Sequence, residues 1–219
     1  NYEPEYQYTI TGPGRVTIKI TGREDQNGHG SANLKGTDTI YLDVVSTKKN
    51  GWMQDSTGWW YRNADGTYPV NQWQLIDNKW YHFDRNGYMQ IGWLQLGNTW
   101  YYLNTDGGMV TGWQMIGGSE YYFVESGEMS VGWRSIDGTY YYFVPSGAMA
   151  TGWVQSGASW YYMDPSTGRM VTGWQTIGGS KYYFVPSGEM AVGWRSISGM
   201  YYYFASSGAI MTGWVQSGS

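Results

Sequence analysis

Nine tryptophans, Trp52, Trp73, Trp93, Trp113, Trp133, Trp153, Trp174, Trp194 and Trp214, recur every 20 or 21 residues, and eight of them directly follow a glycine. A second register keeps step with the first. Gly87, Gly107, Gly127, Gly147, Gly168, Gly188 and Gly208 each stand six residues before one of these tryptophans, and an extra residue near Ser166 and Thr167 accounts for the longer spacing there. A repeat of this length is too short to enclose a core of its own. It reads as one supersecondary unit that buries its apolar face against its neighbours, which points to a solenoid rather than a globule.

Within one unit, Trp93 to Leu96 reads as a strand, Gly97-Asn98 as a turn, and Thr99 to Leu103 as a second, aromatic strand. Asn104-Thr105-Asp106-Gly107 then breaks the chain ahead of Met109 and the next Gly112-Trp113. Gly, Asn and Asp in a two-residue connection suit a β-hairpin, because they accept positive φ. The predicted fold class is therefore all-β, a β-solenoid of about eight tandem hairpins with connecting loops. With 14 Trp, 22 Tyr and 33 Gly against 14% charged residues, its apolar contacts have to come from aromatic rings. A longer period overlies the short one: the segment from Trp113 to Phe143 returns, slightly changed, from Trp174 to Phe204, three hairpins further on. About three hairpins per superhelical turn would place such equivalents on one side of the rod, with Glu120 and Lys181 in matching positions.

Residues 1–49 contain neither Trp nor Met and alternate with a period of two in YQYTITGPGRVTIKIT, read as two strands around Gly12-Pro13-Gly14. A polar stretch leads to a further strand over Thr39 to Val45, and Lys48-Lys49-Asn50 reads as the join. The expected domains are 1–49, a small N-terminal β segment or the tail of an upstream β domain, and 50–219, the repeat solenoid.

Several function classes drop out on composition. A net charge of −4 with no run of Lys or Arg offers no phosphate-neutralising stripe, so no nucleic acid is expected as partner. No segment approaches the ~18 apolar residues of a membrane-spanning helix, so no membrane insertion is expected, and Asn1 begins no signal-peptide pattern. The chain reads as an excised or processed piece. Cysteine is absent and only His29 and His82 are present. Neither a metal cluster, a nucleophile beside a base, nor paired carboxylates across a cleft can be assembled, so no catalytic residue, metal or cofactor is expected.

At the aromatic repeats the chain resembles a known family, the choline-binding modules of pneumococcal and phage cell-wall lytic enzymes and related surface proteins. GWLQLGNTWYYLNTDGGMVTGW, from Gly92 to Trp113, carries that pattern almost position by position, and GWMQDSTGWWYRNADGTYPVNQW resembles the atypical first repeat of such modules. The resemblance covers residues 51 to 219. KYYFVPSGEMAVGW also shares features with clostridial toxin and glucan-binding repeats, which look more distant.

The resemblance implies a secreted, non-catalytic attachment module at the bacterial cell surface or cell wall, whose partner is choline or a choline-bearing teichoic acid. It also implies ligand sites between consecutive hairpins, each lined by two aromatics of one repeat, a Tyr of the next and a nearby Met. Carried onto this sequence, the sites are Trp73, Trp80 and Tyr102 with Met109; Trp93, Trp100 and Tyr122 with Met129; Trp133, Tyr140 and Tyr162 with Met170; and Trp153, Trp160 and Tyr183 with Met190. Trp52 and Trp60 would meet His82 in place of a Tyr. Glu120 and Lys181 stand where the strand tryptophan belongs beside Trp113 and Trp174, so those pockets lack a wall. The site of Trp194 and Tyr201 has no following strand to donate its Tyr. A quaternary ammonium has no hydrogen-bond donor, and ring faces attract it by cation–π interaction while excluding water. The competing readings are a solenoid that stacks glucan or host glycans on the same rings, and a structural spacer.

Overall fold

The computed structural model describes residues 14–21, 37–44 and 50–213, the first two segments as strands only. Among these residues every regular element is a strand, and the eighteen strands form nine two-stranded antiparallel sheets. The chain divides into two compact units, 1–68 and 69–219.

In the first unit β1 (Gly14–Thr21) pairs with β2 (Thr37–Val44), from Gly14 opposite Val44 to Thr21 opposite Thr37. The strand expected ahead of Gly12-Pro13-Gly14 and the join at Lys48-Lys49 lie outside the described residues. The first aromatic hairpin, β3 (Gly51–Gln54) with β4 (Trp59–Arg62), follows in the same unit.

The second unit is a run of seven hairpins. They are β5 (Gln72–Ile76) with β6 (Lys79–Phe83), β7 (Gly92–Leu96) with β8 (Thr99–Leu103), and β9 (Gly112–Ile116) with β10 (Ser119–Phe123). Then come β11 (Gly132–Ile136) with β12 (Thr139–Phe143), β13 (Gly152–Ser156) with β14 (Ser159–Met163), β15 (Gly173–Ile177) with β16 (Ser180–Phe184), and β17 (Gly193–Ile197) with β18 (Met200–Phe204). Each turn holds two residues. At Gly117-Gly118 both have positive φ, 59° and 84°, the conformation whose twist matches that of the flanking strands.

Alternation along the strands gives every hairpin two distinct faces. In the β7–β8 hairpin Trp93 lies opposite Tyr102 and Gln95 opposite Trp100, on one face; Leu94 lies opposite Tyr101 and Gly92 opposite Leu103, on the other. The last residue of each second strand forms the core: Phe83, Leu103, Phe123, Phe143, Met163, Phe184 and Phe204 are fully buried. Burying one such ring stabilises the fold by about 1.5–3 kcal/mol relative to exposure. The first face of one hairpin packs on the second face of the next, as shown by Trp93 on Phe123 at 6.0 Å between ring centroids and Trp153 on Phe184 at 5.8 Å.

Two backbone devices join the hairpins. The Met after each loop, replaced by Ile210 in the last hairpin, forms a bridge with the final strand residue of its own hairpin, as Met129 does with Phe123. Its N–H donates to the preceding hairpin: Met109 to the Trp80 carbonyl and Met129 to the Trp100 carbonyl, both at 2.8 Å, and Met190 to the Trp160 carbonyl at 2.7 Å. The thioether of that Met then rests on the loop glycine of the hairpin after it. A Cβ on Gly127 would lie 2.2 Å from Met109 Sδ, and the same close approach of a Met thioether recurs at Gly107, Gly147, Gly168, Gly188 and Gly208.

Candidate functional site

The stacking of face on face leaves a concavity beside Trp73, Trp133 and Trp153. Trp73 and Trp80, from β5 and β6, meet Tyr101 of β8 and Met109 of the following loop, with Glu125, Ser126 and Glu128 at the margin. Trp133 and Tyr140 meet Tyr161 and Met170, with Pro186 and Ser187. Trp153 and Trp160 meet Tyr182 and Met190, with Ser206 and Ser207. Each concavity thus takes a pair of rings from one hairpin, a Tyr and a Met from the next, and its outer margin from the loop after the third.

The expected indoles, Tyr140 and methionines come together in these three concavities. The tyrosine differs from expectation. Tyr101, Tyr161 and Tyr182 line them, where the sequence pattern pointed to Tyr102, Tyr162 and Tyr183. The ring contacts give the same assignment: Trp73 to Tyr101 at 5.2 Å, Trp133 to Tyr161 at 4.6 Å and Trp153 to Tyr182 at 5.0 Å. The reason lies in the two faces. The next hairpin presents its second face backwards, and that face carries the middle aromatic of the strand. Tyr102 instead packs edge-on against Trp93 of its own hairpin at 5.1 Å, as Tyr162 does against Trp153 and Tyr183 against Trp174. By the same geometry Trp93, 6.1 Å from Trp100 and nearly perpendicular to it, meets Tyr121 at 5.0 Å, whereas Tyr122 sits on Trp113. The margin residues from the third hairpin were not legible in the sequence, because nothing in a single repeat signals a neighbour two units away.

The rings are held yet accessible. Trp80 is 45% exposed and Trp160 40%, although their strands are locked by the ladder. Trp133 Nε1 donates to Ser156 Oγ at 3.1 Å, which fixes the indole edge and leaves a face free. Burial pushes the Tyr101 phenol up, assisted by the charge of Glu128. Tyr161 is pushed up by burial, then by the charge and hydrogen bond of Glu189, to which it donates at 3.5 Å. Glu189 is itself held below the usual carboxylate range, first by the Ser187 hydroxyl, which donates to it.

At the departing positions, Trp113 still has Tyr141 at 4.9 Å and Trp174 has Tyr202 at 5.0 Å, but the strand residues beside them are Glu120 and Lys181. His82 is buried, 5.0 Å from Trp73 and edge-on to it, and its Nδ1 donates to Gln90 Oε1, so it acts as a packing residue of its own hairpin. Trp52 and Trp60 belong to the first unit. Trp194 is 53% and Tyr201 77% exposed. Among the described residues no group of three or more His, Cys, Asp or Glu could hold a metal, and there is no helix long and apolar enough to cross a membrane.

Comparison with known proteins agrees with the repeat architecture. A family model described as a choline-binding repeat matches residues 70–111, 130–172 and 171–213, and one described as a putative cell wall binding repeat matches 111–129. A lysin of Pneumococcus phage Dp-1 is 52% identical over 44 residues, 19% of this chain and 15% of the lysin, so the match spans only a small part of that relative. Among solved structures, CbpJ from Streptococcus pneumoniae TIGR4 superposes with a TM-score of 0.69 at 33% identity, over 91% of this chain and 71% of the other. Choline binding protein F from Streptococcus pneumoniae superposes with a TM-score of 0.70 at 29% identity, over 93% and 72%.

Proposed function

Because this chain belongs to the choline-binding repeat family, we propose that its hairpins form a non-catalytic attachment module, holding the choline groups of a teichoic-acid-type polymer in the aromatic concavities between them. The observation that carries the proposal is the recurrence of one wall set, Trp, a second strand aromatic, Tyr and Met, in register with the fold. The ligand residues are then Trp73, Trp80, Tyr101 and Met109; Trp93, Trp100, Tyr121 and Met129; Trp133, Tyr140, Tyr161 and Met170; and Trp153, Trp160, Tyr182 and Met190. The module begins with the composition change near residue 50 and acts at the cell wall of a bacterium, outside the cell.

Magnitudes favour multivalency. A cation–π contact contributes about 0.5–1 kcal/mol when exposed and ~2 when desolvated. Three walls therefore give on the order of 2–6 kcal/mol before association costs, and a millimolar Kd corresponds to about 4 kcal/mol. A single site is weak, whereas several along one array, facing a polymer with many choline groups, gain from effective concentration. Titrating choline against indole fluorescence tests the reading, with saturation in the millimolar range expected. Saturation by glucose oligomers and none by choline would replace it with a sugar-stacking module, and saturation by neither would leave a spacer.

A further inference from the structure

The concavities share their aromatic walls but differ in the residue that follows the loop glycine two hairpins downstream. Beside the Trp73 concavity that residue is Glu128, which lines it together with Glu125. Beside the Trp133 concavity it is Glu189, which accepts a hydrogen bond from the Tyr161 phenol and another from Ser187, both lining residues. For the Trp153 concavity the same position is Ala209, where the margin is Ser206 and Ser207, and for the Trp93 concavity the matching loop residue is Ala148. Of the three concavities described, those of Trp73 and Trp133 therefore have a carboxylate beside them and that of Trp153 does not.

Building on the choline reading, we infer that Glu128 and Glu189 divide the sites into two classes, in which the Trp73 and Trp133 concavities select for the positive charge of the ligand and the Trp93 and Trp153 concavities select mainly for its methyl groups. A quaternary ammonium offers no donor to a carboxylate, so Glu128 and Glu189 act on it at a distance, through their charge. The raised phenol of Tyr101, to which Glu128 contributes, and that of Tyr161, to which Glu189 contributes, report the same negative field at the ring that meets the ligand. Neighbouring residues of extended chain point to opposite faces. Glu128 and Glu189 thus turn back to the earlier concavity while Met129 and Met190 turn to the next. Because the carboxylates sit at the rim, salt screens them, and their effect fades over a Debye length of about 10 Å at 0.1 M.

Each concavity contains its own methionine, so the ¹³C-methyl resonances of Met109, Met170 and Met190 report occupancy site by site in the full chain, assigned by single Met→Leu substitutions. Raising NaCl from about 20 mM to about 500 mM is expected to move the choline midpoint two- to fivefold at Met109 and Met170, on the scale of exposed charge interactions, and to leave Met190 nearly unmoved. Glu128→Gln together with Glu125→Gln should remove the salt dependence at Met109 and spare Met170 and Met190; Glu189→Gln should do so at Met170 and spare Met109. The uncharged isostere 3,3-dimethyl-1-butanol should bind with similar midpoints at all three. Equal salt dependence at the three methyls, or salt dependence at Met109 that survives the Gln substitutions, overturns the division while leaving choline binding intact. Methyl resonances that respond to the isostere and not to choline overturn both.

Discussion

Replacing Gly127 with Ala tests how the repeats lock together. The position has a φ of +82°, and an added Cβ would lie 2.2 Å from Met109 Sδ, 2.6 Å from its Cε and 2.9 Å from its Cγ. Swinging the thioether end aside does not relieve the overlap, since the Cγ is also too close. Met109 cannot retreat freely either, because its own N–H is tied to the Trp80 carbonyl. Gly117 provides the matched control: its φ is +59°, and nothing lies within 4 Å of an added Cβ. Gly117→Ala meets only the left-handed backbone cost of about 1–2 kcal/mol. Gly127→Ala adds overpacking of about 1–3 kcal/mol, for a total of about 2–5. Urea unfolding followed by indole fluorescence should show the Gly127→Ala midpoint clearly below that of Gly117→Ala. Combining Gly127→Ala with Met109→Ala should then cost less than the sum of the two single changes, because the truncated residue no longer meets the new methyl group. Equal midpoints for Gly117→Ala and Gly127→Ala, or strict additivity in the double variant, would refute the claim that the thioether-on-glycine contact clamps adjacent hairpins.

Three further outcomes follow from the packing. Tyr161→Ala should weaken choline binding at the Met170 methyl by several-fold, whereas Tyr162→Ala, which removes a ring packed on Trp153 of its own hairpin, should leave that site's midpoint close to the original. Phe143→Ala should destabilise the array by about 3–5 kcal/mol in urea unfolding, since the ring is fully buried against Trp113 and Tyr122. The phenols of Tyr101 and Tyr161 titrate above the ordinary 10.0, so their contribution is complete below that pH and is lost as pH rises through the raised folded values; a Tyr161→Phe variant should show a shallower alkaline decline in urea midpoint.

Much of this was readable in the sequence because it recurs. The hairpins, their two-residue turns and the solenoid follow from the Gly-Trp ladder, and each expected indole and methionine stands in a concavity wherever one is described. The tyrosine was harder. Period-two alternation shows that Tyr101 and Tyr102 point to opposite faces, but not which face the next hairpin turns backwards. That choice is made by the Met N–H to Trp carbonyl link and by the buried Phe column, both of which are relations between repeats. Glu128 and Glu189 are illegible for a similar reason: in sequence each is an ordinary loop acid, and only the stacking brings it beside a tyrosine of the preceding hairpin.

Sharing walls among three successive hairpins also bears on how such an array can grow. Copying one hairpin would leave its neighbours with hybrid concavities, since each unit serves its own site, the one before and the one before that. Three hairpins form the shortest block that carries one concavity with all its own walls. The segment from Trp113 to Phe143 and its near-copy from Trp174 to Phe204 are offset by three hairpins. Duplication in such blocks would pass on a working recognition surface together with the fold, with a difference such as Glu120 against Lys181 retuning one position and a match such as Glu128 with Glu189 preserving another.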